Sequence, residues 1–186
     1  QHKCDVHVLH LCPRSVEKTK VEQIEVEGLP TTRISYPKEK SIFYKLCYLN
    51  SAISKSIAGL KKNFGQPDLI HAHLLAQPSL IARKHFPKTP MIVSEHWTGF
   101  VNGYFEQLPG FKRNIFRKSA SRAAAVTVPS VGLKEAMAGH GFNANLQIVA
   151  NVIETSSTEA SLPQDRLEIL TVADMHDHNK NISGSD

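Results

Sequence analysis

Four residues able to exchange protons or hydrogen-bond a ligand stand at the ends of two short apolar runs. His71 and His73 close PDLIHAH, and Glu95 and His96 follow PMIVS. Neutral imidazole offers one donor and one acceptor, and a carboxylate offers acceptors only. Such a set can orient a polar ligand, and His71 and His73, two residues apart on one face of a strand end, could bind a metal together with His96. Zinc takes three or four ligands. No carboxylate or cysteine stands at a helpful spacing, so no metal is expected; the plainer alternative has His71 packed inside and His73 meeting a cleft. Trp97, the single tryptophan, and Gly99 follow directly. The indole could stack on a ligand or simply fill the core, and the glycine could let backbone approach a ligand or simply turn the chain.

The flanking sequence says what positions these residues. Asp68–His73 and Met91–Ser94 read as strands, and 76–86 between them has helical spacing. Strand, helix and strand within about 30 residues make a βαβ unit with two parallel strands. Their carboxyl ends then face one way, which gathers His71, His73, Glu95 and His96 at the sheet edge where open α/β sheets bind ligands. Upstream, Val6–Leu11 and the alternating Val21–Glu27 and Thr31–Tyr36 read as strands, the last two as a hairpin or edge neighbours. Ile42, Leu46, Leu49, Ile53, Ile57 and Leu60 recur every three or four residues over 41–64, so a helix there has one apolar face, stopped by Gly65 and Pro67. Residues 98–110, rich in glycine and aromatics without a period, read as a lid or a long connection. Residues 111–122 return to helical spacing, with Phe111, Ile115 and Phe116 on one side and Lys112, Arg113, Arg117, Lys118 and Arg122 on the others. Ala123–Val128 is a strand, Ser130 caps a helix to about Ala138 with Gly141 just past its end, and Leu146–Ala150 is a further strand.

Composition narrows the classes. The 186 residues are 41% hydrophobic and 21% charged, as in globular domains. No apolar run approaches the roughly 20 residues of a spanning helix. Three cysteines, Cys4, Cys12 and Cys47, at unrelated spacings read as free thiols in a reducing compartment. The net charge of +5 permits an anionic partner without selecting one. The basic helix 111–122 suits peripheral contact with an anionic lipid surface, its aromatics inward, or is a solvated face. Nucleic acid is not expected, because no known motif is present and the aromatics are not interleaved with the cations on one surface. No GxSxG elbow supports a serine nucleophile. Residues 154–166 have the Ser, Thr and Pro content of a linker. Leu167–Ala173 begins a new strand with nothing given after it to pack on, which reads as a cut through a longer protein.

The order PDLIHAH, helix, PMIVSEHWTGF, AAAVTVPS, IVANVI resembles family 4 glycosyltransferases of the GT-B fold. These retaining enzymes move a sugar from a nucleotide-sugar donor to an acceptor, in a cleft between two Rossmann-like domains. The resemblance implies an α/β, Rossmann-like parallel sheet with flanking helices over residues 1–153, the N-terminal acceptor-side domain, truncated at both ends. A linker over 154–166 and a stub of the donor-binding domain over 167–186 follow. His96 matches the family histidine beside the transferred sugar, its imidazole suiting sugar hydroxyls. His73, Glu95, Trp97 and Gly99 line the same place. Lys180, in HNKN, matches the lysine that grips the donor diphosphate; where the family's arginine is expected the chain carries Asp174 or Met175. His176 and His178 beside Asp174 and Asp177 read as a solvated loop rather than a metal tract. The parent would transfer a hexose from a UDP- or GDP-sugar, with retention, to a glycan or lipid-linked acceptor. It would need no other cofactor and would work in the cytoplasm or at the inner face of the membrane, and this fragment alone is expected to be inactive. A nucleotide-sugar epimerase of the same fold and a non-catalytic sugar-binding module are the alternatives.

Overall fold

The βαβ pattern materialises as read. In the computed structural model, which describes residues 4–152, Ile70–His73 (β4) and Met91–Ser94 (β5) are parallel neighbours joined through the helix Gln77–His85 (α3). Pro78 sits in the first turn of α3, where its missing N–H costs nothing. Two further parallel strands extend the sheet, Ala125–Val128 (β6) and Leu146–Ile148 (β7), in the order β4-β5-β6-β7. Each crossover steps the same way, so the connecting helices pack on one face. That face, with Ala72, Val93, Val126 and Val128, meets Ala82 of α3, Ala120 of the helix Gly110–Ser121 (α5), and Leu133 and Met137 of the helix Val131–Gly139 (α6). Ser130 caps α6, its Oγ accepting from the Leu133 N–H at 3.2 Å, and Gly141 takes φ +76° beyond the end. This is the α/β architecture, parallel sheet with flanking helices, that the sequence implies.

A second sheet of order β1-β3-β2 is built from longer strands: Val8–Arg14 (β1), Lys20–Val26 (β2) and Leu29–Pro37 (β3). β2 and β3 form the hairpin, closed by Glu27 and Gly28 at φ +51° and +77°. Two successive left-handed residues are what a two-residue hairpin of the right twist requires. β1 pairs parallel to β3 and runs to Arg14 rather than ending at Leu11. Ladder partners as far as Pro37 hold the less apolar segment Cys12–Arg14 in the strand.

The long apolar pattern over 41–64 forms as Ile42–Tyr44 (α1), a π-helical turn Lys45–Leu49 and Asn50–Phe64 (α2). Leu49, Ile53 and Ile57 bury against Ile34 of β3 and against half-buried Leu9, Leu11, Ile81 and Phe86. Lys61 ties α2 to α3, donating to the His85 carbonyl and lying 4.4 Å over the Phe86 ring.

Two expectations are corrected. Residues 98–110 are not a bare connection: they form a 3-10 turn, Thr98–Phe100, and a short helix, Tyr104–Gln107 (α4). Phe100 and Phe105, at 2% and 0% exposure, sit in the centre of the core with Phe116 and Phe142. Elements of three and four residues are too short to show a period. On α5, only Phe116 turns toward the core, whereas Phe111 and Ile115 are exposed, because Ser119 and Ala120 take the buried face. Among the described residues no helix is long and apolar enough to cross a membrane. The linker at 154–166, the strand Leu167–Ala173, and Lys180 with its neighbours lie outside the described residues.

Candidate active site

The carboxyl edge of β4, β5 and β6 carries a polar row. His73, Ser94 and Thr127 are lateral partners across the three strands, with His71 one pleat behind on the same face. The His71 and His73 rings lie 4.5 Å apart between centroids, tilted by 34°. His71 Nε2 meets Ser94 Oγ at 2.7 Å, and Ser94 Oγ meets Thr127 Oγ1 at 2.9 Å. Sequence reasoning missed Ser94 and Thr127. Their signal was available: both are hydroxyl residues near the carboxyl end of an apolar strand, in IVSEH and AVTVPS. Burial holds the His71 pKa below its ordinary value of 6.5, and the neighbouring His73 and His96 push it the same way. His71 therefore stays neutral at physiological pH, able to exchange one hydrogen bond at each ring nitrogen.

His71 and His73 are both exposed, so the alternative of a packed His71 does not hold. His96 is exposed just past the end of β5, close enough for its charge to act on His71. The three histidines thus gather at one edge. Among the described residues no group of three or more histidine, cysteine, aspartate or glutamate side chains is arranged to hold a metal. Cys4, Cys12 and Cys47 are free thiols.

Glu95 sits differently. It is fully buried, and its carboxylate accepts from three backbone amides: Leu75 N–H at Oε2 (2.8 Å), and His96 and Trp97 N–H at Oε1 (3.0 and 2.8 Å). Its own N–H donates to the Thr127 carbonyl, which carries the β5–β6 pairing one residue past Ser94. With both oxygens engaged, Glu95 faces the protein rather than a ligand. Trp97 is half-buried, stacked on Phe116 at 5.8 Å and edge-on to Phe100 at 5.0 Å, so its ring belongs to the aromatic core. Gly99 is buried against that ring: a Cβ there would lie 2.2 Å from the indole carbons. The close neighbour this glycine admits is a side chain of the same chain. His140, just past the end of α6, closes the cluster, Nε2 lying 2.8 Å from the Phe100 carbonyl oxygen and 3.4 Å from the Glu106 carboxylate.

A groove of about 1370 Å³ lies elsewhere, between β2 and α2, lined by Val21, Ile24, Tyr44, Tyr48, Leu60 and Phe64. It contains none of the residues above. The histidine edge is an exposed surface on which His71, Ser94 and Thr127 form a hydrogen-bonded series.

One sequence family, Glycosyltransferase Family 4, matches residues 1–157. No curated protein matches the chain. The matched span takes in both sheets and the histidine edge at the carboxyl ends of β4 and β5, as an N-terminal Rossmann-like domain of the GT-B type requires, and the chain belongs to glycosyltransferase family 4.

Proposed function

We propose that this chain is the acceptor-side part of a retaining hexosyltransferase using a UDP- or GDP-hexose, with a glycan or lipid-linked acceptor. The observation that carries the reading is the convergence of His71, His73 and His96 at the carboxyl ends of adjacent parallel strands. His96, exposed, positions the transferred sugar through its hydroxyls. His73 stands beside it, its ring against that of His71, which the Ser94–Thr127 pair holds by hydrogen bond. Lys180 meets the donor diphosphate as a point charge. Catalysis in this arrangement is orientation of donor and acceptor and stabilisation of charge on the departing diphosphate. Trp97 and Gly99 serve the site by packing beneath it. Phe111 and Ile115, exposed beside Lys112 and Lys118 on α5, support peripheral contact with anionic lipid.

The test uses the full-length natural protein. Calorimetric titration with UDP- and GDP-hexoses should find one tight donor, bound at least tenfold more weakly by Lys180→Ala. His96→Ala should slow transfer about 100-fold, the scale of a lost positioning contact. Unchanged transfer in His96→Ala overturns the role of His96, and no binding of any nucleotide sugar overturns the donor class.

A further inference from the structure

The two loops that carry the histidines are tied to one buried anion. After His73 the chain leaves β4 through Leu74, whose φ of +77° lies in the left-handed region that a leucine rarely adopts. That turn aims the next amide, Leu75 N–H, at Glu95 Oε2. From the other side, His96 and Trp97 N–H converge on Oε1. Leu74 N–H in turn donates to the Ser94 carbonyl at 2.8 Å, closing the ladder beneath the clamp. Three amides rather than a cation balance the charge, and among the described residues no ion pair involves Glu95. A position that needed only packing would hold an apolar side chain at less cost, since a buried carboxylate is expensive to desolvate.

A carboxylate is the one side chain that accepts on both sides and donates on neither. Glutamine of the same shape has an amide N–H₂ on one side, so one loop would face a donor instead of an acceptor. Aspartate keeps both acceptors but falls one methylene short. The residue type and its length are therefore both demanded by the need to hold two loops at once.

We propose that Glu95 is a positioning residue for sugar transfer, fixing the spacing of His73 and His96 by clamping the strained Leu74 turn to the backbone of His96 and Trp97. This rests on the assignment of His96 to the transferred sugar. In the full-length protein, Glu95→Gln should lower kcat about 100-fold, the loss that misplacement of about 1 Å brings, while KM for the nucleotide sugar stays within about threefold because uniform binding is untouched. Amide hydrogen exchange at Leu75 should accelerate in the same variant. Leu74→Gly, which removes the left-handed strain, should in the Glu95→Gln background restore Tm without restoring kcat. Recovery of kcat together with Tm would reduce Glu95 to a structural role and overturn the proposal, as would an unchanged kcat in Glu95→Gln. If Glu95→Gln does not fold, Glu95→Asp carries the same kcat test. His96→Ala measured alongside separates the failures. Slowed transfer there with normal transfer in Glu95→Gln sinks the clamp alone, and normal transfer in His96→Ala sinks the assignment of His96 and the clamp with it.

Discussion

The β4–β7 sheet is made of strands of three or four residues, and the β1–β3 sheet of strands of seven to nine. The short strands nevertheless anchor the larger core. Among the described residues, fourteen buried side chains cluster against β4–β7, and four cluster between the other sheet and α2. The reason is connectivity. Each of β4, β5 and β6 is followed by a helix that packs in the core against the sheet, whereas β2 and β3 are joined by a hairpin that brings no covering layer of its own. Buried area follows the helices, not the ladder. The same difference separates chemistry from mere exposure: the well-packed sheet ends in converging polar side chains, and the poorly covered one leaves the open groove beside α2.

The largest effect expected from this contrast is on stability. Phe105→Ala removes a ring packed among Phe100, Phe116 and Phe142 and should cost about 3–5 kcal/mol. Ile57→Ala, in the smaller cluster, should fall at the low end of the ~2–5 kcal/mol range for such truncations. Denaturant titration of both variants measures the difference, and equal losses would break the comparison. Gly99→Ala comes next. Its added methyl meets an indole held by Phe100 and Phe116, so overpacking of about 1–3 kcal/mol and a shifted Trp97 emission are expected. An unshifted spectrum with wild-type stability would show the indole free to move. The smallest effect is on pH dependence. Because the His71 pKa is lowered in the folded state, the unfolded chain binds that proton first. Stability is complete above pH 6.5 and declines as pH falls through 6.5 toward the folded value. His71→Asn should flatten part of that decline; His7 and His85, also lowered by burial, keep the rest. A slope identical to wild type would remove His71 from the acid response.

Much of this was legible because some residues signal their own structure. Met91–Ser94 is bounded by Pro90 and by polar residues, and forms as read. Ser130 and Gly141 punctuate α6 as a cap and a stop should. The histidines gather because parallel strands put their carboxyl ends together, whatever the rest of the chain does. What escaped had no local mark. Phe100 and Phe105 occupy turns too short for a period, so only tertiary packing assigns them to the core. Glu95 escaped for a different reason. Glutamate is among the residues least often buried, and the partners that allow it here are backbone amides, which every residue possesses and no sequence pattern displays. Ser94 and Thr127 were visible as residues but meaningful only once the register placed them side by side.

The order of strands in the larger sheet is the order of the chain, and that has a consequence for how the molecule is made. During synthesis β5 emerges with β4 already available, β6 with β5, and β7 with β6, so among the described strands the sheet grows at one margin and none is wedged between two others. The smaller sheet works the other way: β1 leaves the ribosome first and must wait for β3. The histidine loops occupy the oldest margin of the growing sheet, yet the Glu95 N–H finds its acceptor only when Thr127 arrives. The site is thus begun early and locked late, one strand after its last histidine has been built.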